Sequence, residues 1–413
     1  MTPSPSSPGS WRSPLRGPWL TSVLGVVLLG GITVLFVTGL VSYAAYNPNL
    51  ARVNDQTPDK GILGFYLFPW PTDPHWLYRL NQGVQVTLGI TLIPVLLAKL
   101  WSVIPRLFAL PPARSLAHAL ERISLLLLVG GALFEFVTGV LNIQLDYIFP
   151  GSFYTLHFYG AWVFIAAFVA HAVLKIPAAM RNLRQLGEEG PPHPVPSDLV
   201  SPRPDPPTVS RRGALWFVGG GSLLLFATTV GQSFDGLLRR TALLAPRGRA
   251  EPGSGPNGFQ VNKTARYAGI DASETADGAW RLVVTGRTGT VRLSRAQLAR
   301  LPLHSAALPI ACVEGWSTSD QWWRGMRLSN LAALVGYDDD SPDVLVESLQ
   351  RRGAFRRAAL RANQVADPRS QLALYVNGED LSPDHGFPAR VIVPAEPGVL
   401  NTKWVARMTF GDL

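Results

Sequence analysis

Long runs of apolar residues dominate the first 235 positions of the chain. Five of them, at positions 19–43, about 83–101, about 123–143, 153–176 and 214–231, approach the roughly 20 apolar residues that a helix needs to cross a bilayer. Any one of them could be a buried helix of a soluble protein, but five in succession favour membrane-spanning helices. The pattern predicts an all-α transmembrane bundle of four helices, followed by a fifth, anchoring span.

The pattern changes beyond about position 235, where short alternating segments replace the long apolar runs. The segments "WRLVVTG", "GTVRLS", "LALYVNG", "ARVIVPA" and "VARMTF" predict strands. Two further segments, "RAQLARLP" and "RLSNLAALVG", predict short amphipathic helices, the second closed by Gly336. Strict strand–helix alternation is missing, so a β-rich α+β domain is expected.

Polar and proline-rich stretches set the expected domain boundaries. We predict a disordered tail over 1–18, a four-helix membrane domain over 19–180, a Pro-rich cytoplasmic linker over 181–212, a fifth span over 213–234 and a C-terminal domain over 235–413. The first apolar run is too long for a cleavable signal peptide, so a retained span is expected there.

The positive charge of the chain indicates its orientation in a membrane and not nucleic-acid binding. Charged residues make up only 16% of the chain and the net charge is +9, but no nucleic-acid recognition motif accompanies it. Lys and Arg are frequent in the loops after the second and fourth spans, whereas the loop "QLDYIFPGS" has none. The positive-inside rule therefore predicts a multi-pass cell-membrane protein with a cytoplasmic N-terminus and a C-terminal domain outside the cytoplasm.

Two adjacent arginines stand immediately before the fifth run, in "SRRGALWF". They resemble a twin-arginine export signal, although Ala214 occupies the place where an aromatic residue is usual. That route exports folded proteins, which suits a domain that receives its cofactor in the cytoplasm. The alternative is that Arg211 and Arg212 are ordinary positive-inside residues.

Histidines within the apolar runs are candidates for metal ligands. His157 and His171 lie on the fourth span, within about 40° of each other around the helix and roughly 21 Å apart along it. His118 begins the third span. Imidazole in hydrocarbon is costly and usually functional, and haem iron takes one nitrogen ligand from each of two helices. The alternative is that these histidines are interfacial or hydrogen-bonded between helices.

The first four spans resemble the cytochrome b-type membrane domains that accompany respiratory oxidoreductases. The resemblance implies haem b, one or two per chain, with electrons exchanged with membrane quinone. His171 would pair with His118 at an inner haem, and His157 would serve an outer one. The segment "RLNQGVQVTLGITLIPVLLAKLWSV" has Gln85 where a ligand histidine is expected, so either His75 substitutes or only one haem binds.

Cys312, in "LPIACVEGWSTSDQWWRG", is the only cysteine of the 413 residues, so it has no partner for an intramolecular disulfide. It could be a buried apolar residue, a nucleophile or a metal ligand. A metal site built by protein alone normally takes three or four ligands. A cofactor that brings its own ligands needs only one soft thiolate.

The residues around Cys312 resemble the sulfite-oxidase-like molybdopterin oxidoreductases over about 258–413. The matching stretches are "FQVNKTA", "CVEGWS", "DHGFPARVIVP" and "NTKW", in the order of that family. The resemblance implies Cys312 as the catalytic molybdenum ligand, Trp316 as a lining residue, and Asn262, His385, Arg390 and Lys403 as further contacts of the cofactor. Arg and Lys suit its terminal phosphate. The sequence does not assign Arg324 or Arg327 to the substrate pocket.

The sequence therefore predicts a membrane-bound, molybdopterin-dependent oxidoreductase fused to a cytochrome b-type domain. It would transfer an oxygen atom to or from a small substrate of the sulfite or S-/N-oxide class. One alternative is a membrane-tethered binding module that keeps the fold without molybdenum. Another makes Cys312 a hydrolase nucleophile with His304 or His385 as base, although the spacing does not support it.

Overall fold

The computed structural model describes residues 11–55, 57–59, 68–107, 115–142, 153–184, 201, 203–234, 236–245, 255–276, 278–338 and 340–413. They form two compact units. The helical unit comprises Met1–Val37, Leu88–Asn142 and Leu156–Phe226, and the sheet unit comprises Thr38–Thr87, Ile143–Thr155 and Ala227–Leu413. The two ends of the first interhelical segment therefore belong to the same unit as the C-terminal region.

Five helices match the five apolar runs. Their bounds are α1 Pro18–Ala44, α2 Leu77–Leu107, α3 Leu116–Asn142, α4 Phe153–Arg184 and α5 Arg211–Ala227. All five are long and apolar enough to cross a membrane, which confirms the prediction of five candidate spans. The linker 181–212 begins inside α4, and residues 185–200 and 202 lie outside the described part of the chain, as does the loop "QLDYIFPGS".

The predicted N-terminal tail differs from the structure at its C-terminal end. Pro14–Arg16 form a short 3-10 helix, and α1 begins at Pro18. The Arg16 guanidinium lies over the rings of Trp11 and Trp101, at 4.5 and 4.2 Å from their centroids. These cation–π contacts bury Arg16 and fix a stretch whose composition alone predicted disorder. Residues 1–10 lie outside the described residues.

One face of α1 supplies much of the core of the helical unit. Leu20, Leu24, Leu28 and Ile32 are buried and recur every four residues, so they form a single stripe along the helix. They pack with residues from the other three long helices: Leu92, Val95 and Leu96 of α2, Ala132 of α3 and Phe164 of α4.

The sheet unit contains two five-stranded sheets. The strands are β1 Leu282–Gly286, β2 Gly289–Leu293, β3 His304–Leu308, β4 Gln321–Arg327, β5 Val344–Ser348, β6 Arg357–Leu360, β7 Gln371–Val376, β8 Glu379–Asp380, β9 Arg390–Ile392 and β10 Val405–Phe410. The first sheet has the order β2-β1-β10-β5-β6, and the second has β3-β4-β7-β8 with β9 also paired to β7. Of these pairings, β1 with β10 is parallel and the others are antiparallel.

In the described part of the sheet unit, short helices precede or connect the strands: α6 Ala265–Ala268 and α7 Ala272–Thr275 come before β1, and α8 Arg295–Arg300, α9 Leu328–Ala333 and α10 Ala362–Ala366 lie between strands. The five predicted strands and the two predicted helices, now α8 and α9, are all present. Gly336 follows α9 with φ +91°, as predicted for a helix-closing glycine. Mixed strand pairing with short connecting helices agrees with the expected β-rich C-terminal region.

The ends of α1 and α2 pack into the sheet unit. Ala44, Ala45, Tyr46, Trp70 and Tyr78 form a buried cluster with Ala311, and Val313, Phe355 and Val399 pack against it. The Trp70 indole N–H donates to the carbonyl of Ala395 at 2.8 Å, and the Asn47 amide donates to that of Ala359 at 3.0 Å. This N-terminal stretch thus contacts the loop that carries Cys312.

Candidate functional site

Cys312 lies at the start of a tight turn between β3 and β4. Its N–H donates to the Trp316 carbonyl at 2.9 Å, and its own carbonyl accepts from the Gly315 N–H at 3.0 Å. Gly315 has φ +92°, which suits glycine alone among unstrained residues. The thiol side chain is buried. The turn therefore holds a single cysteine in a fixed, water-poor position.

Trp316 and Glu314 stabilise the same turn from within. The Trp316 indole N–H donates to Glu314 Oε2 at 2.7 Å, and both side chains are buried. The indole N–H thus provides the buried Glu314 carboxylate with a hydrogen-bond partner, as buried polar groups require. Trp316 therefore lies in the turn, and its one polar atom is used to bind Glu314.

A group of cationic side chains is centred on Lys403, which follows β9. Lys403 Nζ donates to Asn262 Oδ1 at 2.8 Å, to the Lys263 carbonyl at 2.9 Å and to the Asp384 carbonyl at 2.8 Å. All three donor positions of the ammonium are used. The structure thus brings together Asn262 and Lys403, two of the residues that the sequence predicted for one site.

Arg390 begins β9 and is almost fully buried. Its Nη1 donates to the His385 carbonyl at 3.4 Å, and its guanidinium lies 5.5 Å from the centroid of the Trp323 ring. Its Nε has no hydrogen-bond partner among the described residues. Burial lowers the pKa of Arg390 to about 9. A buried guanidinium with an unused donor fits an anionic ligand.

The His385 ring is neutral and fixed. It stacks on Phe259 with ring centroids 3.8 Å apart, and its Nε2 lies 2.9 Å from the Pro256 carbonyl, so Nε2 carries the proton that is donated. Burial, with the charges of Lys403 and Arg390, lowers the pKa of His385 to about 3. His385 therefore does not add a positive charge at neutral pH.

Lys263 is a further member of the cationic group, and the motifs in the sequence did not predict it as a site residue. Its Nζ donates to the Ala354 carbonyl at 3.1 Å, and burial lowers its pKa to about 8. Burial, followed by the charges of Arg390 and Lys263, lowers the pKa of Lys403 well below its usual value. A negative charge on Cys312 raises the pKa of Lys263, Arg390 and Lys403. The region near the thiol is therefore electropositive and suited to an anion.

Comparison with known proteins agrees with this geometry. Residues 269–412 match the family model described as the oxidoreductase molybdopterin binding domain. The C-terminal region carries an oxidoreductase molybdopterin-binding domain. The family match covers the strands, the Cys312 turn, His385, Arg390 and Lys403, whereas Asn262 and Lys263 precede it.

Relatives of this molybdopterin-binding domain include mitochondrial sulfite oxidases. That of Mus musculus is 31% identical over 156 residues, covering 32% of this chain and 29% of the relative. The "Uncharacterized oxidoreductase YuiH" of Bacillus subtilis is 30% identical over 132 residues, covering 32% of this chain and 65% of the relative. The chain thus spans less than two thirds of the length of each of these relatives. These matches support an oxidoreductase.

A solved structure, the sulfane dehydrogenase SoxCD from Paracoccus pantotrophus, also matches the chain. It is 22% identical, with a TM-score of 0.30, and the match covers 33% of this chain and 39% of that chain. A TM-score this low adds nothing to the interpretation of the fold.

The aromatic and basic residues of β4 divide between two faces of the molybdopterin-binding domain. Trp323 is fully buried and donates its indole N–H to the Leu308 carbonyl at 2.9 Å, whereas Trp322 is 55% exposed. Arg324 shares the exposed face with Trp322, and its guanidinium lies 6.0 Å from the Tyr375 ring centroid. Trp323 is thus a core residue beneath Arg390. Arg327 is half-buried, and its Nε has no partner among the described residues.

The histidines of the helical unit have different surroundings. His157 Nδ1 lies 3.1 Å from Glu135 Oε2 and 3.0 Å from Thr138 Oγ1, both on α3. His171 lines a cavity of about 680 Å³ formed by α1, α2, α3 and α4, together with Lys99 and Lys175. His118 lies on α3, but its side chain is outside the described part of the chain.

Two further positions named in the sequence lie in the sheet unit. Gln85 Oε1 accepts a hydrogen bond from Thr38 Oγ1, so it joins α1 to α2. His75 Nε2 lies 3.5 Å from Asp320 Oδ2. Each side chain thus has a polar partner from another part of the same unit.

Among the described residues, no group of three or more His, Cys, Asp and Glu side chains could hold a metal ion by itself. The described residues do fit a molybdopterin-type cofactor. They supply one buried thiol, two buried cations, the half-buried Lys263 and an unused guanidinium donor in one region. A cofactor with its own metal-binding sulfurs needs no more protein ligands than the thiol.

Proposed function

We propose that the chain is a membrane-bound, molybdopterin-dependent oxidoreductase of the sulfite-oxidase type. It transfers an oxygen atom to or from a small substrate of the sulfite or S-/N-oxide class. Electrons are exchanged with membrane quinone through haem b. One observation carries the proposal: the only cysteine of the chain is buried in a turn that the cations Lys263, Arg390 and Lys403 make electropositive.

Each residue of the site has a separate task. Cys312 offers the metal a soft thiolate. Arg390, with its unused Nε, would hold the anionic part of the cofactor, and Lys403 and Lys263 add positive charge beside it. His385, neutral and stacked on Phe259, fixes the turn that precedes Arg390. When bound, the cofactor supplies two-electron oxygen-atom transfer, while the protein supplies position and charge.

The direction of the reaction depends on the substrate. Oxidation of sulfite with water gives sulfate, two protons and two electrons, which quinone accepts. Reduction of an S-oxide or N-oxide consumes two protons and two electrons, which quinol donates. The electropositive site accommodates a negatively charged substrate such as sulfite without the cost of an unpaired charge. We expect the domain to lie outside the cytoplasm, following the loop arginines.

The cavity beside His171 supports a haem at the inner end of the helical unit. Its volume of about 680 Å³ lies within the range of small-molecule and cofactor sites, about 300–1,000 Å³. Most lining residues are apolar, while Lys99 and Lys175 could pair with carboxylates of a bound group. At the outer end, the contacts of His157 Nδ1 with Glu135 and Thr138 leave Nε2 as the nitrogen for a metal.

The alternative function is a membrane-tethered binding module that keeps the fold without molybdenum. It would account for the buried Cys312 as a small apolar residue. It does not account for two buried cations and the half-buried Lys263 near one thiol, because an unoccupied cluster of like charges is costly. A hydrolase with His385 as base is disfavoured, because burial lowers the pKa of His385 to about 3 and so makes the ring a weak base.

Metal analysis of detergent-purified full-length protein tests the proposal, with a reduced-minus-oxidised haem spectrum on the same sample. We expect about one molybdenum per chain with one or two haems b, and loss of turnover with retained folding in Cys312→Ser. No molybdenum in a host that makes the cofactor would contradict the proposal and favour the binding module. Molybdenum without haem would limit the proposal to a catalytic domain attached to helices that carry no electrons.

A further inference from the structure

The peptide that follows Cys312 is held by a side chain from outside the matched domain. Gln82, near the start of α2, is buried, and its Nε2 donates to the Val313 carbonyl at 2.6 Å. Because a carbonyl can only accept, the amide must present its NH₂ group there. Gln82 Oε1 then accepts from Ser42 Oγ, in the last turn of α1, at 3.3 Å.

Two tyrosines continue this hydrogen-bonded chain away from the turn. The Tyr78 hydroxyl is hydrogen-bonded to Ser42 and lies 3.3 Å from the Tyr46 hydroxyl. Ser42 thus links Gln82 to the two buried tyrosines, and the chain of polar contacts runs from Val313 to Tyr46. Hydrogen bonds arranged in series polarise one another and hold their geometry together.

At the other end of the turn, Gly315 packs closely against Val86 of α2 and against Gln232. A Cβ on Gly315 would lie 2.7 Å from Val86 Cβ and 2.8 Å from Gln232 Nε2. Ser233 Oγ donates to the Gly315 carbonyl at 3.1 Å. The turn is thus fixed at Val313 by α2 and at Gly315 by the segment after α5, and none of these partners belongs to residues 269–412.

We propose that Gln82, oriented by Ser42, Tyr78 and Tyr46, is a positioning residue for the metal ligand. Its hydrogen bond fixes the peptide next to Cys312 and so determines where the thiol points. The proposal rests on the proposed function, in which that thiol binds molybdenum. It adds that the membrane helices, and not the molybdopterin-binding domain alone, determine the geometry of the metal site.

The variant Gln82→Leu tests this, because leucine has a similar volume but can neither donate nor accept. Gln85→Leu is the matched control: it makes the same change one turn further along α2 and removes a contact with Thr38 instead of Val313. In the molybdenum-loaded full chain, we expect the Mo(V) electron paramagnetic resonance signal to change shape in Gln82→Leu and to match wild type in Gln85→Leu.

The metal-free full chain gives a second readout that does not need the cofactor. Cys312 is the only cysteine, so the rate of alkylation by iodoacetamide reports on that thiol alone. Loss of one hydrogen bond should raise this rate by about tenfold in Gln82→Leu. The Gln85→Leu rate should equal that of wild type. If Gln82→Leu does not fold, Tyr46→Phe removes only one hydroxyl of the chain, and we expect a smaller change in the same direction.

The possible failures are distinguishable. If wild type binds no molybdenum, or if Cys312→Ser keeps its turnover, the proposed function fails and the positioning role fails with it. If turnover depends on Cys312 but Gln82→Leu leaves both the spectrum and the alkylation rate unchanged, only the positioning role is overturned. Equal changes in Gln82→Leu and Gln85→Leu would also overturn it, because they would indicate a general loosening of α2.

Discussion

Lys403 Nζ donates a hydrogen bond to Asn262 Oδ1 at 2.8 Å, joining two residues that are 141 positions apart. The contact ties the segment before the matched domain to the segment that follows β9. Because the ammonium also binds two backbone carbonyls, it stabilises the fold as well as contributing charge. Structural and electrostatic tasks therefore coincide in Lys403, and they can be separated by comparing it with Lys263.

Replacing Lys403 with methionine should impair both tasks. Three part-buried hydrogen bonds of the ammonium are lost, which should cost about 2–3 kcal/mol of the free energy of unfolding. Molybdenum content should fall because a cation beside the anionic cofactor is lost. Lys263→Met is the comparison, since Lys263 Nζ has longer contacts, at 3.1 and 3.4 Å. It should lower molybdenum content with a smaller decrease in melting temperature. Equal decreases in melting temperature would argue against the separate roles.

Gly315→Ala should disrupt the Cys312 turn. The new methyl group would meet Val86 and Gln232, and φ +92° would be strained. Together these effects should cost about 3 kcal/mol. Gly378→Ala is the control, because Gly378 has φ +86° but no atom within 4 Å of the added Cβ. It should cost only about 1 kcal/mol. Thermal unfolding in detergent measures both, and a Gly378→Ala loss as large as that of Gly315→Ala would exclude the steric explanation.

Glu396 should make the stability of the sheet unit depend on pH. Its carboxyl is buried, its Oε1 accepts from Gln364 Nε2, and burial raises its pKa well above the usual value. In the unfolded chain it ionises near pH 4.3. Between that pH and its folded pKa, the folded state binds more protons, so this residue's contribution to stability falls as pH rises.

Glu396→Gln should therefore raise the melting temperature at pH 8 and leave it nearly unchanged at pH 4. Melting curves of both proteins over this range provide the check. Because burial lowers the pKa of His385 to about 3, that residue contributes the opposite trend. Its stabilisation is present above about pH 6.5 and is lost as pH falls toward 3. The comparison of Glu396→Gln with wild type cancels this contribution. A change in melting temperature of the same size at all pH values would contradict the assignment of the pH dependence to Glu396.

Under the proposed function, His171→Ala should abolish binding of the haem that we propose for the cavity formed by α1 to α4. The difference spectrum of His171→Ala should lose at least one haem relative to wild type, while molybdenum per chain stays the same. Val169→Ala, on the same helix but outside the lining of the cavity, is the control and should keep the wild-type spectrum. A wild-type haem signal in His171→Ala would place the haem elsewhere.

The sequence predicted much of the fold because the relevant patterns are local. Apolar length identified the five helices, and alternation identified β1, β2, β7, β9 and β10. In "QWWRGMR" the adjacent tryptophans hide the alternation, although Trp322 is exposed and Trp323 is buried in β4. The short disordered tail was overestimated because cation–π contacts of Arg16 depend on Trp101, which lies far along the chain.

The candidate site was predictable only where residues matched motifs. Asn262, Cys312, Trp316, His385, Arg390 and Lys403 came from short stretches of the resembled family. Lys263 was missed, since its burial beside Arg390 and Lys403 follows from tertiary packing and not from its neighbours. Gln82 and Val313 are 231 positions apart in the sequence, so no local pattern predicts their contact.

The apolar cluster of Tyr46, Trp70, Tyr78 and Ala311 joins residues from distant parts of one polypeptide within a single unit. If the segment with Tyr46, Trp70 and Tyr78 were a separate chain, its association with Ala311 would depend on the concentrations of the two chains. A covalent connection replaces those concentrations with an effective local one, on the order of millimolar for short flexible linkers. Occupancy of the contact, and hence the state of the Cys312 turn, becomes independent of how much protein the cell makes.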